Sequence, residues 1–218
     1  MSDSCSDTAS TLIHYAQRAY TKNLLAAADG NLSYRSSETE ILITPSGVSK
    51  ADLKAEDLAS VSLDNQILQG RPSSERLMHL AIYNAVPQAK AVVHAHPVTA
   101  IALSLARPHW TELPTDSLPE VIIAAGKIPI APYARPGTKT MGEVLLPLLP
   151  ECRLIILARH GAVCWGESVA EAYQGIERLE QICQILKLTE DLGGATPLPA
   201  EEILALKTLR KTVAPRII

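Results

Sequence analysis

The chain has 218 residues, enough for one domain of generous size with a sizeable core. A formal net charge of −3, with 47% hydrophobic and 20% charged residues, gives no bulk attraction to nucleic acid or to an anionic membrane, so any anion site must be local. Four cysteines without a CxxC pairing, a start with no basic or apolar signal region, and no apolar run near about 18 residues predict a cytoplasmic protein with no disulfide framework, no nucleic-acid partner and no membrane span.

Residues 1–8 read as a disordered N-terminus. Residues 9–27 carry Leu12, Ile13, Ala16, Ala19, Tyr20 and Leu24 on one stripe and predict a helix. After the turn at Ala28-Asp29-Gly30-Asn31, residues 32–35 and 40–44 predict two strands joined across Ser36-Ser37-Glu38. Pro45-Ser46-Gly47 is a loop, residues 54–58 a short helix, and residues 61–63 and 66–68 a second hairpin. Pro72-Ser73-Ser74-Glu75 opens a helix with Ser73 as its N-cap and a buried stripe of Leu77, Met78, Leu80, Ala81 and Ile82. A strand running from Ala91 into His94 and His96 is closed by Pro97 and followed by a helix over 99–106. Residues 107–120 read as irregular, 127–131 as a strand, 133–138 as a turn, and 138–149 as a helix that Pro147 ends or kinks. An apolar strand from Leu154 runs into Arg159-His160-Gly161, and residues 162–165 form the next strand. Ser168-Val169-Ala170-Glu171 is a capping box that opens the longest helix, stopped by Gly193-Gly194. Residues 196–218 are a tail with a short helix over 201–209. Strands and helices mixed in one unbroken pattern over 9–195 predict a single α/β domain with helices covering a central sheet.

Three features carry chemistry. His94 and His96, at i and i+2 on an extended segment, point to one face, and His160 ends a second core strand. Three imidazoles with an open position make a catalytic metal site, but the spacing alone leaves equal room for histidines that satisfy backbone groups. Glu75 begins its helix near the positive end of the dipole and shares a face with His79 and Tyr83, so it is either a surface carboxylate that stabilises the helix start or part of a functional cluster. Gly30-Asn31, Ser46-Gly47 and Ser73-Ser74 each combine free backbone amides with small polar side chains. Singly they read as turns; together they make an anion site.

Residues 12–192 resemble the class II aldolase/adducin family. The matching stretches are Gly30-Asn31-Leu32-Ser33, Ile43-Thr44-Pro45-Ser46-Gly47, Pro72-Ser73-Ser74-Glu75, Val93-His94-Ala95-His96, Tyr133-Ala134-Arg135-Pro136-Gly137-Thr138 and Arg159-His160-Gly161-Ala162-Val163. The resemblance implies a mixed or antiparallel central sheet with helices on both faces. It implies one Zn2+ per subunit on His94, His96 and His160, with Glu75 as acid/base. It places the substrate phosphate at Asn31, Ser46, Gly47, Ser73 and Ser74, and implies a homotetramer with sites at subunit interfaces. The tyrosine that assists the family's fuculose-phosphate aldolases is missing from Ser117-Leu118-Pro119-Glu120-Val121-Ile122, where Glu120 is the titratable group: either it is the second catalytic residue in place of the tyrosine, or it is a solvated loop residue and the chemistry differs.

The expected activity is zinc-dependent cleavage of a phosphorylated ketose to dihydroxyacetone phosphate and an aldehyde. Within the same family, a methylthioribulose-1-phosphate dehydratase and a pentulose-phosphate 4-epimerase are alternatives. The non-catalytic adducin-like branch is disfavoured, because all three histidines and Glu75 are present.

Overall fold

The computed structural model describes residues 2–213; the end of the expected C-terminal tail, 214–218, lies outside the described residues. Helix α1 spans Ser2–Thr21, so it begins inside the segment expected to be disordered. Eight strands follow, interleaved with helices: β1 Asn31–Arg35, β2 Glu40–Ile43, β3 Ala59–Ser62, β4 Ile67–Gln69, α2 Arg76–Ala85, β5 Ala91–Ala95, α3 Val98–Ala106, α4 Pro119–Ala124, β6 Ile130–Ala131, α5 Thr140–Glu143, β7 Leu154–Leu157, β8 Gly161–Gly166, α6 Val169–Asp191 and α7 Ala200–Thr212. They form one sheet in the order β4-β3-β2-β1-β5-β8-β7-β6, antiparallel throughout except for the β6–β7 pair.

The sheet is covered on both faces, and the two-residue period of its strands sorts the core. On one face Leu32, Val93, Ile156 and Cys164 pack under α1, α3 and α6 through Leu12, Leu103, Ile176 and Leu179. On the other, Ile43, Val92, Ile155 and Val163 pack under α2 and α5 through Met78, Ile82 and Met141. Asn31 lies opposite His94, and Ser33 opposite Val92, so these polar residues share the α2 face.

Several boundaries moved for local reasons. Pro147 restricts the helix expected over 138–149 to α5 and a separate 3-10 turn at Leu146–Leu148. The segment read as irregular contains α4, which starts with Pro119 at its first turn, a position where the missing N–H costs nothing. Helix α7 holds α4 in place, since the Arg210 guanidinium donates to the carbonyls of Ile123 and Ala124 at its C-terminal end. At α6 the Ser168 hydroxyl accepts from Glu171 N at 3.2 Å, while the Glu171 carboxylate accepts from Glu167 N, one residue before the cap.

Candidate metal and substrate site

The three histidines converge. Their ligand nitrogens lie within 4.8 Å of one another. His94 projects from β5 onto the α2 face, and His96 follows one residue past its end, held by a bond from its N–H to Leu24 O at 2.8 Å. His160 sits in the tight β7–β8 turn. There Arg159 adopts a φ of 65°, and its N–H donates to the Ser104 hydroxyl of α3 at 3.0 Å. Gly161 makes the convergence possible. A Cβ there would stand 2.4 Å from Ala95 O, 2.9 Å from His96 Cδ2 and 3.2 Å from His94 Cε1.

His94 Nδ1 lies 2.9 Å from Ala162 O and donates to that carbonyl, which turns Nε2 towards the site. That Nε2 is 3.2 Å from His96 Nε2 and 3.2 Å from Glu75 Oε2, while His160 Nε2 is 3.3 Å from Glu75 Oε1. Burial first, and then the neighbouring imidazoles, lowers His96 to about 4 and pulls His160 down as well, so both are neutral near pH 7. His160 Nδ1 is buried without a partner. Neutral imidazole nitrogens and a carboxylate crowded into one spot form a nitrogen-rich donor set, and this set fits a divalent cation. Behind it, Asp29 Oδ2 lies 3.6 Å from His96 Nδ1, where a carboxylate can orient the ring.

Glu75 is the N-cap of α2 and not part of its first turn, and the expected cap Ser73 instead accepts from Glu75 N at 3.2 Å. The reason is that Pro72 and Ser73 are still paired to the end of β2, through the Pro45–Pro72 bridge and the bond from Ser73 N to Thr44 O at 3.2 Å. Glu75 then heads a buried row of hydrogen bonds. Asn31 Nδ2 donates to Glu75 Oε2 at 2.8 Å; Asn31 Oδ1 accepts from His79 Nε2 at 2.6 Å. His79 Nδ1 is 2.7 Å from Ser33 Oγ, which is 2.9 Å from the Tyr83 hydroxyl. With Nε2–H committed to an oxygen, Nδ1 is the acceptor; the Ser33 hydroxyl therefore donates to it and accepts from Tyr83. His79 is fully buried, and burial before all else lowers it to about 3, so it stays neutral. Burial pushes the Glu75 carboxyl up, but the His94 hydrogen bond and charge, the Asn31 amide and His160 together hold it below the usual carboxylate range.

The three loops expected to hold an anion meet beside Glu75. Ser46 N donates to Arg71 O at 3.0 Å and Thr44 N to Leu32 O at 2.9 Å, which ties the Pro45–Gly47 loop both to the Pro72–Ser74 segment and to β1. Gly47 has a φ of 78° and open space where a side chain would stand.

A family model described as "Class II Aldolase and Adducin N-terminal domain" matches residues 10–186. The chain belongs to this family. Among class II aldolase relatives, it is 35% identical over 179 residues to a 3-oxo-tetronate 4-phosphate decarboxylase of Escherichia coli K12, covering 81% of this chain and 82% of that one. It is 33% identical to an L-fuculose phosphate aldolase of Methanococcus maripaludis over 84% of this chain and 98% of that one. Among solved structures, YgbL of Escherichia coli superposes with a TM-score of 0.88 at 30% identity, covering 94% of this chain and all of that one. The protein is a lyase of the metal-dependent class II aldolase type, and its three-histidine cluster is the candidate metal site.

The other expected site residues fall in two places. Ser46, Gly47, Ser73 and Ser74 are brought together, with Ser73 buried and Gly47 and Ser74 exposed. Asn31, expected at the phosphate, commits its side-chain amide to Glu75 and His79. Glu120 lies on α4 and lines a groove with Arg178, Gln181 and Ile185 of α6; among the described residues no hydrogen bond or ion pair links it to the histidines. Sequence reading missed the roles of Ser33, Ser104 and Asp29. Each acts through a partner distant in sequence, although the Glu75-His79-Tyr83 face gave one end of the buried row.

Proposed function

We propose that the protein is a zinc-dependent lyase that breaks a carbon–carbon bond in a phosphorylated oxo-sugar acid, with decarboxylation as its reaction. His94, His96 and His160 would hold the ion, and a homotetramer is the assembly. When bound, zinc supplies a Lewis acid beside the substrate's carbonyl oxygen. The phosphoryl group is assigned to the Ser46-Gly47 and Ser73-Ser74 loops at the start of α2, where the Gly47 and Ser74 amides, the serine hydroxyls and the helix dipole favour an anion, the Ser46 and Ser73 amides being committed to Arg71 O and Thr44 O. That anchor orients the carbonyl end of the substrate towards Glu75.

In a 3-oxo-tetronate 4-phosphate, the compound named for the Escherichia coli relative, the carboxylate is β to the carbonyl. Its carbon–carbon bond breaks, CO2 leaves, and the bonding pair remains as the enediolate of dihydroxyacetone phosphate. Glu75 delivers one proton to carbon and is reprotonated from solvent, so the turnover consumes one proton. Substrate that displaces Glu75 from His94 and His160 removes two contacts that keep it ionised, and its affinity for that proton rises.

The observation that carries this reading is that Glu75 is the carboxylate facing the ligand nitrogens, whereas Asp29 stands behind His96 and Glu120 lies on α4. One proton donor suffices for decarboxylation. Aldol cleavage leaves the same enediolate but also needs a base to take a proton from the substrate hydroxyl. The likeness to L-fuculose phosphate aldolase keeps aldol cleavage as the second reading, with that base contributed by a neighbouring copy in the tetramer.

The test offers zinc-loaded protein 3-oxo-tetronate 4-phosphate and, separately, L-fuculose 1-phosphate, and scores dihydroxyacetone phosphate, CO2 and aldehyde. The expected result is CO2 release with kcat/KM at least about 100-fold above that for aldehyde release. Aldehyde release alone moves the assignment to the aldolase; release of neither sinks both.

A further inference from the structure

Lys50 is completely buried, beside the Ser46-Gly47 loop assigned to the phosphoryl group. Its ammonium donates to Ala28 O at 2.8 Å and to Val48 O at 3.2 Å. Ala28 belongs to the turn that presents Asp29 and Asn31, and Val48 directly follows Gly47. One side chain thus fastens the turn behind the metal cluster to the loop beside the phosphate. Burial lowers Lys50 to about 8, with Asp29 and Glu75 pulling the other way, so the group is a cation at neutral pH. Among the described residues, no carboxylate lies within ion-pair distance of it. A buried charge satisfied only by carbonyl dipoles is costly unless an opposite charge comes close.

We infer that Lys50 is a positioning residue whose buried charge, held between the Ala28–Asn31 turn and the Ser46–Val48 loop, makes this site select a dianionic phosphoryl group. The inference rests on the phosphorylated-substrate reading above. The cation acts through the loops it fastens, orienting their amides, and through the field of an ammonium that burial shields from water. It separates this chain's specificity from its chemistry: Glu75 and the histidines work on the carbonyl end, and Lys50 on the anchor.

The test uses zinc-loaded full-length protein and two probes, inorganic phosphate and acetohydroxamate, a metal chelator without a phosphoryl group. Dissociation constants are measured for the wild type, Lys50→Met and Lys50→Gln, with zinc content and melting temperature as checks. Two neutral replacements of different polarity are used because either alone risks a folding defect. In whichever variant folds, phosphate affinity should fall at least about 10-fold while acetohydroxamate affinity stays within about 3-fold. Equal loss of both probes makes Lys50 a scaffold residue only and overturns the inference. Unchanged phosphate affinity overturns it while leaving the phosphate site standing. A wild type that binds acetohydroxamate but no phosphate overturns both.

Discussion

Asn31 Nδ2 donates to Glu75 Oε2 at 2.8 Å, and this single bond joins the first strand of the sheet to the carboxylate at the head of α2. Asn31→Asp is nearly isosteric and still accepts from His79, but it sets a second negative charge against Glu75. Like charges raise a carboxyl pKa. The expected outcome is a loss of about 10²-fold in kcat, with the pH limb that reports Glu75 displaced to higher pH. An unshifted kcat/KM profile would show that Asn31 does not tune this group.

Glu75→Gln keeps the shape and removes the titratable proton. Zinc content should stay near one per chain while turnover falls by about 10³-fold, the ordinary range for a general acid. Metal analysis beside a turnover assay checks this, and a variant with wild-type kcat would reject Glu75 as the proton donor.

Gly161→Ala alters no ligand, yet its methyl would meet Ala95 O at 2.4 Å and the rings of His96 and His94 at 2.9 and 3.2 Å. The β5–β8 pair must then shift, and zinc affinity should drop about 10- to 100-fold, comparable to loss of a group that orients a ligand. His94→Ala should lose the ion outright. Competition against a chromogenic chelator measures both; equal affinity in Gly161→Ala and wild type would mean that the histidines need no such close approach.

Acid should unfold the metal-free protein early. His79 and His96 are lowered to about 3 and about 4 in the folded state, mainly by burial, against about 6.5 in an open chain. The unfolded form therefore binds more protons below about pH 6.5, and stability falls as pH drops from there towards 4. Melting temperature recorded from pH 7.5 to 4 should decline across this window. His79→Leu should flatten the decline, because one neutral buried imidazole is gone; an unchanged slope would separate His79 from the effect.

Much of this site was legible in sequence because its parts sit next to turn chemistry. His94 and His96 flank a strand end closed by proline, His160 precedes a glycine, and the loops that come together beside Glu75 are marked by glycine, serine and proline. The α/β class with helices covering a sheet also followed, since alternation and helical stripes are local patterns; helices on both faces followed from the family resemblance. Other features depend on distant partners. That Glu75 is a cap and not a first-turn residue depends on Ser73 remaining paired to Thr44 of the preceding loop. That Lys50 is buried depends on Ala28 O, which local hydropathy does not encode. Helix α4 was hidden because six residues give less than two helical turns of pattern, and its end is completed by Arg210 from far along the chain.

The row from Tyr83 through Ser33 and His79 to Asn31 has a direction, since every hydrogen in it points towards Glu75. It ends in an amide, and an amide nitrogen does not readily pass on a proton. The row is therefore a brace and an insulator, not a proton wire. It can aim the carboxylate and hold its charge, but it cannot refill it. In the proposed mechanism, the proton that Glu75 delivers would have to arrive on its cleft side, where the side chain is 12% exposed. Solvent isotope effects on turnover should accordingly be indifferent to Tyr83→Phe, even though that hydroxyl lies on the same continuous line of hydrogen bonds.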